Sequence, residues 1–118
     1  MKVSIIFFVL IAIILLLETS TSAEPEIPPC IQKMINSILE QPVTNPPTSI
    51  SKFLYRGKFM YMAISNYWDQ FIPLYDGECN YICAPLGGFS GLGDGKCKDF
   101  DSMATPLGIV WVDPRSRD

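Results

Sequence analysis

The sequence has 118 residues with a formal net charge of −3, and it contains no histidine. Weak acidity argues against nucleic acid and anionic membranes as partners, because both are negatively charged. The absence of histidine removes the commonest general base and the usual first choice of zinc ligand.

The N-terminal segment has the pattern of a secretory signal peptide. One basic residue, Lys2, precedes an apolar run over residues 3–17, and small residues stand at both specificity positions of a cleavage site that ends at Ala23. A transmembrane anchor would need roughly 20 apolar residues and a basic flank. We therefore predict a signal peptide over residues 1–23 and a single secreted, extracellular domain over residues 24–118.

From Cys30 the chain has the periodicity of an amphipathic helix. The proline-rich residues 24–29 predict an extended lead-in to this helix. Apolar residues then recur at helical spacing, namely Ile31, Met34, Ile35, Ile38 and Leu39. Pro42 ends the pattern, because proline cannot continue a helix. An irregular surface connection is expected over residues 41–49.

Two hairpins are predicted after this connection. Their four strands are residues 51–55, 59–64, 71–75 and 79–83. Gly57 lies in the turn Arg56-Gly57-Lys58 of the first hairpin, where it is expected to take a positive φ. Asp76-Gly77 lies between the strands of the second hairpin and is the strongest short hairpin signal in the chain.

The C-terminal part adds one or two helical turns over residues 98–104 and a short apolar strand over residues 109–112, with Trp111 in the core. The predicted fold class is therefore α+β. One amphipathic helix packs on a small antiparallel meander of four or five strands, and disulfides stabilise the fold.

The four cysteines, Cys30, Cys79, Cys83 and Cys97, all follow the predicted cleavage site. An even number in a small secreted domain indicates disulfides, whereas a zinc site would normally have two close pairs. On one face of a strand, Cys79 and Cys83 would lie about 13 Å apart, too far for a bridge. Two pairings remain open: Cys30–Cys79 with Cys83–Cys97, or Cys30–Cys83 with Cys79–Cys97. The first is slightly favoured, because Cys83–Cys97 closes the glycine-rich segment most locally.

The most distinctive segment extends from Cys79 to Cys97 and reads C-x3-C-x-P-x-G-G-x-x-G-x-G-D-G-x-C. It resembles a family of small exported proteins with a domain of unknown function, many of them bacterial lipoproteins, built on a similar core. The resemblance extends from Cys30 to Asp113. It implies export and a common fold, and the family carries no established activity.

The glycines match neither a Walker loop nor a dinucleotide-binding motif. Asp94, Asp99 and Asp101 offer the oxygen ligands that calcium prefers, but they lack the EF-hand spacing. A turn at Asp94-Gly95 and a helix start near Asp99 is the favoured interpretation, and calcium binding stays open. We predict no cofactor, no metal site and no catalytic residues, since a serine without histidine would need a suitably spaced lysine base and paired cysteines leave no thiolate.

Two non-enzymatic functions remain. The first is a recognition module, such as an inhibitor, toxin or ligand binder, that contacts an extracellular protein or matrix component and no membrane after signal cleavage. Its candidate binding residues are Phe89, Leu92, Tyr67 and Trp68, of which Leu92 is expected to be exposed and Phe89 at least partly so. The alternative is a structural component of an extracellular or mineralised matrix, for which mild acidity and a disulfide-linked fold suffice.

Overall fold

A computed structural model of the protein describes residues 27–66 and 69–115. In chain order its elements are α1 (Pro29–Leu39), β1 (Ser49–Tyr55), β2 (Lys58–Ile64), β3 (Phe71–Asp76), β4 (Tyr81–Gly87), α2 (Phe100–Met103) and β5 (Thr105–Val112). The five strands form one sheet in the order β4-β3-β2-β1-β5, and each pair is antiparallel. Strands β1 to β4 form a meander, and β5 returns to pair with β1. The predicted α+β fold class is confirmed.

Helix α1 packs on one face of the sheet. It begins at Pro29, one residue before the predicted start. Proline is well suited to the first helical position, because a backbone N–H there would have no hydrogen-bond partner within the helix. Ile31 and Ile35 are buried from the helix, and they form a cluster with Ile50 of β1 and Tyr61 of β2. The helix ends at Leu39, as the sequence predicted.

The opposite face of the sheet carries the larger core. Side chains alternate along β2, so Met60 and Met62 point into this core while Tyr61 points toward α1. The short helix α2 covers the core with Phe100, whose ring meets those of Phe53 and Tyr55 edge-to-face at centroid distances of 5.1 and 5.3 Å. The sheet is therefore covered on both faces.

The β1–β2 turn consists of Arg56 and Gly57, with φ values of 52° and 75°. Two consecutive positive φ values are typical of the tight type I′ turn, whose twist matches that of the strands it joins. The positive φ predicted for Gly57 is confirmed. Lys58, which was placed in the turn, is the first residue of β2.

The hairpin predicted around Asp76-Gly77 is confirmed, but the connection between its strands is longer than predicted. The Asp76 carboxylate accepts hydrogen bonds from the backbone N–H groups of Glu78 and Asn80, at 2.9 Å each, and these bonds close a longer turn. Cys79 lies within that turn with a φ of 62°, so β4 begins after it. The argument that Cys79 and Cys83 lie too far apart on one face of a strand therefore does not apply.

Strand β5 is longer than the predicted strand over residues 109–112, and it includes Pro106. A proline is tolerated in an edge strand because its nitrogen, which carries no hydrogen, can face outward, where there is no neighbouring strand to accept a hydrogen bond. The helical turns predicted over residues 98–104 are confined to α2. Trp111 is half-buried and packs against the cluster under α1.

The disulfides are Cys30–Cys79 and Cys83–Cys97, which is the favoured of the two pairings. The first joins the start of α1 to the β3–β4 turn, and the second joins β4 to the segment before α2. Disulfides of this kind are typical of proteins outside the reducing cytoplasm. In the range 27–66 and in the range 69–115, no helix has the length and apolar character that crossing a membrane requires. The predicted signal peptide, residues 1–23, lies outside the described residues.

A C-terminal clasp, formed by Asp113 and Arg115, holds the end of α1. The Arg115 guanidinium donates hydrogen bonds to three carbonyl groups at and just after the helix end, those of Ile38, Leu39 and Gln41. The buried Asp113 carboxylate pairs with the same guanidinium at 2.8 Å. The Asp113 backbone N–H donates to the Thr48 carbonyl at 2.9 Å. The clasp therefore fixes both ends of the connection between α1 and β1.

The clasp predicts how stability depends on pH. Hydrogen bonds from Arg115 lower the pKa of Asp113 below its ordinary value. A carboxylate whose pKa is depressed by folding stabilises the protein above its unfolded pKa, about 3.9, and this stabilisation is lost as the pH falls through the folded pKa. Asp113→Asn should therefore lower Tm at pH 7 by several degrees. The variant should also lose less Tm than the parent between about pH 5 and pH 2.

Thermal melts followed by circular dichroism would measure both effects. Asp101→Asn, which removes an exposed carboxylate, is the matched control and should follow the parent protein. Parallel acid-induced losses in the parent and in Asp113→Asn would contradict the assignment.

Candidate functional site

The glycine-rich loop, residues 87–95, folds back along the outer edge of β4. The Asp94 backbone N–H donates to the Ala84 carbonyl at 2.8 Å, and the Gly93 N–H donates to the Gly87 carbonyl at 3.1 Å. An uncovered edge strand would leave such groups unpaired and available to another chain. The loop therefore covers this edge of the sheet from Ala84 to Gly87, and these bonds also hold the loop in place.

The Asp94 carboxylate is the main hydrogen-bond acceptor that holds the loop against β4. It accepts hydrogen bonds from the backbone N–H groups of Ala84 at 3.1 Å and Lys96 at 3.0 Å, and from the Tyr81 hydroxyl. The Tyr81 bond, followed by the Lys96 bond, lowers the pKa of Asp94. The bond to Lys96 forms the turn predicted at Asp94-Gly95. The bonds to Ala84 and Tyr81, which attach that turn to β4, were not predicted.

Two glycines allow the loop to approach the sheet closely. A Cβ atom at Gly93, where φ is 76°, would lie 1.9 Å from the Ala84 carbonyl oxygen. A Cβ atom at Gly87, where φ is 87°, would lie 2.1 Å from the Gln70 carbonyl oxygen. Both distances are far below van der Waals contact, and both φ values are unfavourable for other residues. Glycine is thus required at positions 87 and 93 both for the positive φ and for the close approach of the loop to the sheet.

The Cys83–Cys97 disulfide fixes the end of the loop. Cys83 and Cys97 are both buried, and the bond joins the middle of β4 to the residues that follow the loop. A glycine-rich segment loses much conformational entropy on ordering and buries few side-chain atoms in return. The disulfide and the hydrogen bonds of Asp94 offset this cost.

Two large apolar side chains of the loop, Phe89 and Leu92, and one from the start of β3, Phe71, are exposed, and we call these three residues the apolar tip. Phe89 is 106% exposed, Leu92 is 79% exposed and Phe71 is 55% exposed. Phe71 lies opposite Gly87 in the β3–β4 ladder, and Leu92 forms a bridge with Gly87 from the other side. The predicted exposure of Phe89 and Leu92 is confirmed. Phe71 and Leu92 lie on opposite sides of Gly87.

Phe71 was missed as a site residue. It begins β3, in which Ile72 and Leu74 are buried in the larger core. Alternation along the strand places Phe71 on the other face, and this is the signal that the sequence offered. The remaining predicted contact residues, Tyr67 and Trp68, lie outside the described residues.

The carboxylates proposed as calcium ligands are held by different partners. Asp94 is bonded to Tyr81, whereas Asp99 accepts a hydrogen bond from the Tyr55 hydroxyl at 2.5 Å and lies 3.8 Å from the Arg56 guanidinium. Throughout residues 27–66 and 69–115, no three acidic or cysteine side chains are grouped as metal ligands would be. All four cysteines are in disulfides, so none is available as a thiolate nucleophile.

These features define a small, disulfide-linked α+β domain that presents a fixed glycine-rich loop. Residues 36–113 match the family model described as Domain of unknown function (DUF6970), and the chain belongs to this family. The match begins within α1 and covers the whole sheet, the loop and Asp113. Comparison with curated proteins and with solved structures gave no match.

The two classes of glycine in the loop predict different responses to substitution. Gly91 has a φ of 73° with open space around its Cα, whereas Gly93 has a similar φ and faces the β4 backbone. Gly91→Ala should cost about 1 to 2 kcal/mol, the ordinary cost of a left-handed conformation. Gly93→Ala should cost at least about 2 kcal/mol more and lower Tm by a further 10 °C or so. Equal losses in urea unfolding would contradict the close approach.

The contact between Tyr81 and Asp94 predicts a perturbed titration. The hydrogen bond to the Asp94 carboxylate, with burial as a second cause, raises the pKa of Tyr81 to about 12. Asp94→Asn should return this pKa toward 10, since the amide carries no charge to oppose the phenolate. NMR titration of the Tyr81 ring carbons would measure the shift, with Asp101→Asn as the control. A Tyr81 pKa near 10 in the parent protein would exclude the bond.

Proposed function

We propose that the protein is a secreted, non-enzymatic recognition module that contacts an extracellular protein or matrix component through the apolar tip. The observation that carries this proposal is the full exposure of Phe89 on a loop whose backbone is fixed. An exposed aromatic side chain on a fixed loop has the form of an interface anchor, and aromatic anchors that become buried on binding dominate the energy of many interfaces. A fixed loop also avoids the entropic cost of ordering upon binding.

The chemistry of the chain supports a non-enzymatic role. The sequence contains no histidine, and every cysteine is bonded to another. Asp94, the carboxylate closest to the loop backbone, is engaged by Tyr81 and two backbone N–H groups, so its role is to hold the loop. A nucleophile paired with a base is the minimum that acyl transfer would require.

Secretion is supported by two separate features. Residues 1–23 have the charge and apolar pattern of a signal peptide. The two disulfides are stable in an oxidising environment and rare in the cytoplasm. We therefore propose that the mature protein begins at Glu24 and acts outside the cell.

Site-specific photo-crosslinking would test this function. The photoreactive residue p-benzoylphenylalanine would replace Phe89 in one protein and Met103 in a second, because Met103 is 66% exposed on α2, outside the tip. Each protein would be irradiated in extracellular fluid or matrix from the tissue that expresses it. We expect a discrete adduct from position 89 alone.

The intact mass of the purified protein should correspond to a chain that begins at Glu24.

A competition experiment would test whether the contact through position 89 is specific. Excess parent protein and Met103→Ser should suppress the adduct, whereas the double variant Phe89→Ser/Leu92→Ser should not. Exposed positions usually change stability by no more than about 0.5 kcal/mol, so the double variant should keep the parent Tm to within a few degrees. The proposal fails if position 89 gives no adduct that the parent suppresses, or if the double variant competes equally well.

A further inference from the structure

A cavity of about 700 Å3 lies between the end of α1, the connection to β1 and the end of β2, and we call it the amide pocket. Its wall carries six uncharged polar side chains, those of Gln41, Thr44, Asn45, Thr48, Ser65 and Asn66. The half-buried side chains of Ile38, Val43 and Ala63 supply apolar surface beside them. Ligand sites usually have this size, and the wall of this one is more polar than most.

The walls of the pocket are fixed in place. Arg115 of the C-terminal clasp bonds to the Gln41 carbonyl at one end of the connection. The Asn66 amide donates to the Asn45 carbonyl at 3.0 Å and ties the middle of the connection to the end of β2. The Thr44 hydroxyl donates to the Pro46 carbonyl at 2.7 Å. A pocket formed before a ligand arrives binds without an ordering cost.

Among the residues that the structure describes, none that lines the pocket is charged. By contrast, the cavity beside the glycine-rich loop is lined in part by Lys98 and Asp101. An ion that loses water in a neutral pocket finds no opposite charge to replace its hydration, so this wall disfavours charged ligands. The exposed amides of Gln41, Asn45 and Asn66 each offer both donor and acceptor groups. The matching ligand is neutral and rich in hydroxyl groups.

We propose that the amide pocket binds a neutral saccharide, a function separate from the contact through the apolar tip. Sugar hydroxyls would pair with the side-chain amides and with Ser65, and the C–H faces of the sugar would lie on the apolar wall. The volume lies in the range that is usual for small-ligand sites. An extended peptide would need an open strand edge, whereas β2 lies between β1 and β3.

A microarray of neutral and anionic glycans, followed by titration of the best neutral glycan by NMR, would test the site. We expect binding to neutral glycans, with the largest amide shifts at Gln41, Asn45 and Ser65. The double variant Gln41→Ala/Asn45→Ala should bind at least tenfold more weakly, since it removes two amides and leaves the backbone carbonyls in place. Gln32→Ala/Asn36→Ala is the matched control, because it removes the same two amide types from the exposed side of α1.

The control variant and the tip variant Phe89→Ser/Leu92→Ser should both keep the parent affinity for the glycan. Failure of the tip function would therefore leave this result unchanged. The proposal is overturned if no neutral glycan binds, if sialylated or sulfated glycans bind equally well, or if the pocket variant keeps the parent affinity.

Discussion

The Asp94 carboxylate joins three parts of the molecule: the backbone of β4, the turn that ends the glycine-rich loop, and the hydroxyl of Tyr81. These bonds place the loop against the β4 edge, where the glycines permit contact with the strand backbone. Because the loop covers this edge, the apolar tip is held at the end of the sheet. The position of Phe89 therefore depends on the Asp94 side chain, which holds the far end of the loop against β4.

Local signals predicted the parts of the fold that local interactions determine. The helical spacing up to Leu39 and the tight turn at Gly57 depend on neighbouring residues, and both were predicted correctly. The β3–β4 connection is longer than predicted because the Asp76 side chain bonds to the backbone as far as Asn80. The length of β5 was underestimated because Pro106 is tolerated only at the edge of a sheet, and edge position depends on topology.

The same limit applies to the candidate sites: local sequence patterns predict their local features but not those that depend on tertiary structure. The exposure of Phe89 and Leu92 could be predicted, since glycine-rich surroundings offer little core to bury them. Phe71 and the bond between Tyr81 and Asp94 depend on the pairing of β3 with β4 and on the folding back of the loop. The amide pocket combines the end of α1, the connection to β1 and the end of β2, and no local pattern brings these segments together.

The loop keeps its shape through backbone bonds, glycines, a disulfide and Asp94, and none of these involves the side chain of Phe89 or Leu92. The residues that stabilise the loop and the residues that it displays are thus different sets. Substitution of the displayed side chains should therefore leave the framework intact. The same separation makes the loop suitable for randomised libraries, in which new specificities could be selected at positions 89 and 92 on an unchanged domain.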